Sequence, residues 1–176
     1  MRDKGGDAGG LDSAGALWQN LGMTHEEIAA APRFKTRVLE GGGTFLVTSP
    51  YGWRIHPITG ERRFHAGIDG ALLRGDALVE CDICAWDDGV VAEAHGADDN
   101  AAGVFVAIDH GGGLVTKYFH LEEGTLRVAT GDRVARGQPL GYMGKTGRAT
   151  GEHLHFQAER DGVPIDPVPI LGKAEN

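Results

Sequence analysis

The stretch G-E-H-L-H-F-Q-A, residues 151–158, places two histidines one residue apart beside an apolar pair. In a β-strand successive side chains point to opposite faces, so His153 and His155 would share a face. Leu154 and Phe156 would then point into a core. On a helix the two imidazoles would diverge. The stretch therefore reads as a strand that presents two imidazoles side by side. Exposed histidines on an edge strand would show the same pattern as a metal site, and neutral imidazole is a common metal ligand. Partners elsewhere in the chain have to distinguish the two.

Working outward, the same texture of short apolar runs and glycine turns recurs. G-V-V-A-E-A (89–94), G-V-F-V-A-I-D-H (103–110), G-L-V-T-K-Y-F-H-L (113–121), R-V-A-T-G-D-R-V (127–134) and Q-P-L-G-Y-M (138–143) all read as strands. Glycine is abundant, 29 of 176 residues, and has no collagen-like period, so it marks turns. The expected fold is mainly β: an antiparallel sandwich or open barrel. Residues 14–31 differ. There T-H-E-E-I-A-A-A reads as a helix capped at Thr24, with Glu27 in the capping-box position and Pro32 as the stop. The expected organisation is a tail and short helical appendage over 1–43, then one domain over 44–176.

Composition narrows the function. Hydrophobic residues make up 41% and charged residues 24%, which suits a packed domain. A formal net charge of −8 argues against a nucleic-acid partner and against anchoring on anionic lipid. No segment has the apolar length needed to span a bilayer, so no membrane insertion is expected. The first ten residues are polar and unlike a secretory leader. Cys81 and Cys84 form a lone C-x-x-C in strand-like surroundings. With no second pair to complete a zinc knot, they read as structural thiols or a local disulfide.

The partners of the His-x-His pair lie upstream. F-H-A-G-I-D-G (64–70) holds His65 and Asp69, four apart, and its two glycines disfavour a helix. Alone, His-x-x-x-Asp is a weak signal. With His-x-His it supplies two imidazoles and one carboxylate, the composition of a catalytic zinc site that keeps one position for water. Such an ion lowers the pKa of its water and polarises a carbonyl. K-Y-F-H-L (117–121) adds His120 on an expected strand, where an imidazole suits proton transfer. Only one of His153 and His155 need bind metal.

Taken together, S-P-Y-G-W-R-I-H-P-I-T-G (49–60), R-F-H-A-G-I-D-G, V-T-K-Y-F-H-L and the run from Gly131 through G-E-H-L-H-F-Q occur in an order that resembles the lysostaphin/LytM-type metallopeptidases, peptidase family M23. The resemblance runs from about Ser49 to Pro167. It implies a zinc endopeptidase that cuts peptide bonds of bacterial peptidoglycan, on an antiparallel β scaffold with a narrow groove. Carried over by position, His65, Asp69 and His155 match the metal ligands. His120 and His153 match the two histidines assigned to acid–base work and oxyanion stabilisation. Arg54 matches a recurring residue that would line the groove. No groove tyrosine is found in I-T-G-E-R-R-F, and the run after Asp69 departs from the family pattern. Members that lack these histidines regulate other wall hydrolases without catalysis, and this is the competing expectation. All five positions are intact here, which favours an enzyme. With no leader seen, phage-type release, a virion-borne protein or a removed leader are the routes to the wall that the sequence suggests.

Overall fold

A computed structural model describes residues 26, 30, 31, 33–36, 38, 43–55, 60–74 and 77–171. The expected helix at Thr24, its stop at Pro32 and His56 lie outside the described residues, although Glu26 and Ala30 themselves are helical.

Fourteen strands carry the described chain: β1 (Arg33–Thr36), β2 (Gly43–Ser49), β3 (Gly52–Ile55), β4 (Arg62–His65), β5 (Gly67–Arg74), β6 (Ala77–Val79), β7 (Asp82–Cys84), β8 (Gly89–His95), β9 (Val104–Asp109), β10 (Leu114–Leu121), β11 (Arg133–Val134), β12 (Pro139–Tyr142), β13 (Leu154–Arg160) and β14 (Val163–Ile165). One short helix, α1 (Val168–Leu171), follows. The main sheet runs β1-β2-β5-β13-β10-β9-β8-β11, with β6 beside β5 and β14 beside β13. Every pairing is antiparallel. Its two ends do not meet, so the sheet stays open, and two further pairs, β7–β12 and β3–β4, complete the fold.

The fold class is as expected, and the two-residue period explains it. On β13, Leu154, Phe156 and Ala158 are fully buried. Ile68 and Leu72 on β5, and Thr116 and Tyr118 on β10, bury the same face. Against it pack Ile83 of β7 and Leu140 of β12, so the small sheet closes the core from one side. Burying each such Leu or Ile contributes about 1.5–3 kcal/mol. Tyr118 brings a hydroxyl into this core, where it accepts from Trp86 N–H at 2.8 Å and from Thr116 Oγ1 at 3.0 Å.

One expected strand is largely absent. Of R-V-A-T-G-D-R-V, only Arg133 and Val134 pair as a strand. The preceding residues form a turn in which Asp132 N–H donates to Ala129 O, and Asp132 Oδ2 accepts from Ala129 N–H. The apolar-polar alternation there is real, but the aspartate draws its backbone donors into a turn. Both cysteine thiols are buried and no disulfide joins them, and Cys81 donates to the Asp82 carbonyl at 3.3 Å.

Candidate active site

The face of the main sheet opposite the core carries the site. Asp69 on β5 lies directly across from His155 on β13, and His155 lies across from Phe119 on β10. Three neighbouring strands thus place three side chains in one row. His65 ends β4, with only Ala66 between it and β5, and returns to the same row.

Within the row the ligand atoms converge. His155 Nδ1 is 2.7 Å from Asp69 Oδ1, and His65 Nε2 is 3.2 Å from that oxygen and 3.1 Å from His155 Nδ1. Among the described residues, these three form the group able to hold a metal ion, with all ligand atoms within 4.8 Å of one another. His65 Nδ1 donates to Pro50 O at 2.8 Å. A carbonyl only accepts, so the neutral ring keeps its lone pair on Nε2, aimed at a carboxylate that also only accepts. Two acceptors at 3.2 Å need a proton or a cation between them. Two imidazole nitrogens and one carboxylate oxygen fit a zinc-class ion. Burial works to raise the Asp69 carboxyl, but the adjoining His155 and His65 imidazoles outweigh it and hold it well below the usual carboxylate range.

The other two histidines stand beside the row. His153 Nε2 is 3.7 Å from Asp69 Oδ1, and the His120 and His153 rings are 4.9 Å apart between centroids. Each is held by a backbone carbonyl: His120 Nδ1 donates to Thr146 O and His153 Nδ1 to Gly151 O, both at 2.8 Å. Their lone pairs therefore sit on Nε2. Burial, with His153 adding to it, pushes the His120 imidazole down to about 4. At neutral pH His120 is an acceptor of protons.

His120 reaches the groove through a backbone irregularity. In a regular strand it would share a face with Tyr118, inside the core. The register with β9 shifts between Tyr118 and Leu121, and His120 takes a φ of 65°. This bulge turns Phe119 and His120 to the same side, where both line the hollow. A non-glycine residue at positive φ costs about 1–3 kcal/mol, a cost that recurs at functional sites.

The hollow encloses about 560 Å³ and is walled by the β3–β4 pair on one side and the loop 144–153 on the other. Arg54 faces into it, its Nη2 3.7 Å from Asp69 Oδ2. All six residues singled out by the sequence, His65, Asp69, His155, His120, His153 and Arg54, line this one space. A roomier hollow of about 710 Å³ lies at the other end of β10, around His110. There His110 is spent on Thr116 Oγ1 and Asp88 O.

Sequence reasoning missed Phe119, Arg63, Arg148 and Gly67. Phe119 stacks on His155, with 5.2 Å between centroids and planes 3° apart, and so holds the ring's orientation. Strand alternation opposite Tyr118 would have found it. Gly67 has an ordinary φ, but a Cβ there would stand 2.5 Å from Phe156 O and 2.8 Å from His155 Nε2. Gly67→Ala is expected to displace the His155 ring and weaken metal binding about 10–100-fold, as losses in the surroundings of ligands do. Chelator-competition titration measures this directly. Affinity equal to the parent's would show that the close approach is immaterial.

The sequence pattern described as Peptidase family M23 matches residues 63–167. The DD-carboxypeptidase/endopeptidase Mpg of Neisseria meningitidis is 37% identical over 144 residues, covering 76% of this chain and 31% of Mpg. The peptidoglycan DD-endopeptidase ShyC of Vibrio cholerae is 39% identical over 114 residues, covering 65% and 24%. The chain therefore spans a third or less of the length of these relatives. Among solved structures, a zinc-containing peptidase from Vibrio cholerae superposes with a TM-score of 0.55 at 25% identity, over 77% of this chain and 47% of that one. The matched span takes in β5, β10 and β13 and all five His/Asp residues of the row and its flank; the chain belongs to peptidase family M23.

Proposed function

We propose that this chain is a zinc-dependent endopeptidase that hydrolyses peptide bonds in bacterial peptidoglycan, with residues 44–176 as its peptidase domain. His65, Asp69 and His155 hold the ion. When bound, zinc supplies Lewis acidity toward a carbonyl and lowers the pKa of water. His120 and His153 do the proton work. Each offers an Nε2 lone pair to the hollow and keeps its Nδ1–H on a carbonyl. Either ring can take a proton from an attacking water and, once protonated, donate to the leaving amine or to a developing oxyanion. Stacking by Phe119 and the carbonyl of Pro50 keep the ligand rings from turning.

The observation that carries this reading is the meeting of three ligand atoms with two further imidazoles whose tautomers are fixed by backbone. A regulatory module without catalysis has no need of His120 held at a positive φ. The names of Mpg and ShyC support a D,D-bond as the one cut. No helix among the described residues is long and apolar enough to cross a membrane. The reading expects the enzyme to act at the cell wall.

The test is a digest of purified peptidoglycan of several chemotypes, with chelator and with zinc restored. New amino termini, located by mass spectrometry, are expected only with zinc, at D,D cross-links. Fragments formed equally well in excess chelator would rule the metal out of the reaction.

A further inference from the structure

We infer that the groove selects peptides bearing a free carboxylate beside the scissile bond, and that Arg63 and Arg148, with Arg54, do the selecting. This deepens the peptidase reading and rests on it. The chain as a whole is acidic, with 25 Asp and Glu against 17 Lys and Arg. The hollow inverts that balance: Arg54, Arg63 and Arg148 line it, against Asp69 as its carboxylate. That carboxylate is committed to His65 and His155.

The arrangement of the guanidiniums points the same way. Arg54 and Arg63 are directly opposed in the register of β3 and β4, so they share a face. Like charges in opposed positions destabilise a strand pair. Glu61 offsets part of this by binding Arg63 at 2.6 Å, but that pair is exposed and therefore weak. Arg54 lies 3.7 Å from Asp69 Oδ2, beyond hydrogen-bond range, so its donors are not fully used there. Arg148 stands on the facing wall, in the loop 144–153, and is exposed. Two walls of a groove thus bring planar, permanently charged forks toward the reacting centre. Guanidinium is the group that binds carboxylate through two parallel hydrogen bonds. A neutral glycine bridge offers nothing to these forks. A branch or stem peptide that carries a free carboxylate near the bond does.

The experiment uses the metal-loaded chain and two synthetic peptides, identical except that the carboxylate next to the scissile bond is a carboxamide in one. Each is also made with a reduced, uncleavable bond, so that binding is read by fluorescence anisotropy apart from turnover. The carboxylate peptide is expected to bind and to be cut about tenfold or more better than its amide. Arg63→Gln and Arg148→Gln should each shrink that ratio about threefold or more, and the double variant should bring it near unity. Arg148→Lys, which keeps charge but not the fork, should recover part of it. A ratio near unity in the parent, or losses that strike both peptides alike, would overturn the inference. Cleavage without charge preference leaves the peptidase reading standing and sinks this one. Charge preference in binding without cleavage does the reverse.

Discussion

His65→Ala is expected to lose zinc and peptidoglycan hydrolysis together. His65 Nε2 sits within 3.2 Å of both other ligand atoms, and Pro50 O fixes the tautomer that frees it. Without it, Asp69 and His155 offer two donors where the site is built for three. Loss of an outer partner alone costs about 10–100-fold in affinity, so loss of a ligand should exceed ~100-fold. Metal content after dialysis and hydrolysis of the same sample report the two losses. One equivalent of zinc retained by the variant would remove His65 from the ligand set. Misfolding is not the expected cause of failure, because β4 is a short strand that, among the described residues, pairs only with β3, and its other residues are exposed.

His120→Ala should separate the two properties. His120 is not within the ligand group, and its ring centroid is 6.0 Å from that of His155. Zinc should therefore stay bound. Turnover should fall by about 10²–10⁴-fold, the usual contribution of a positioned acid–base group. The imidazole is neutral at pH 7 because burial holds it down to about 4, so what the variant removes is a proton acceptor and not a charge. Full turnover in a zinc-replete variant would leave His153 as the candidate for that work.

The candidate ligand cluster was legible in the sequence because its signals are local. His155 lies on β13, which Leu154 and Phe156 anchor in the core, whereas His153, expected on the same strand, ends the loop just before it. His65 and Asp69 sit close in sequence. The strands at 89–95, 104–109 and 114–121 were readable as short apolar runs set between glycine turns. What was not readable depends on pairing. His120 reaches the groove only through a bulge against β9, and a bulge is set by register with another strand. Arg63 and Arg148 come from different walls, 85 positions apart by number, with no motif joining them. Gly67 matters through a ring that lies across the sheet. Turn chemistry at Asp132 overrode alternation in R-V-A-T-G-D-R-V.

The row on β5, β13 and β10 also shapes how the molecule comes into being. His65 and His155 are 90 positions apart, and their meeting requires β13 to dock on β5. Closing so long a loop is slow relative to making a local hairpin. A growing polypeptide that has passed residue 120 has two of the donors and no third. It gains its grip on the ion only when nearly the whole domain has been made and the central strand inserted. Thereafter an ion held by the proposed ligands of both halves would tie off that loop and oppose unfolding by mass action. With the ligand set proposed above, metal uptake would thus be a late event of biogenesis and would mark the finished molecules.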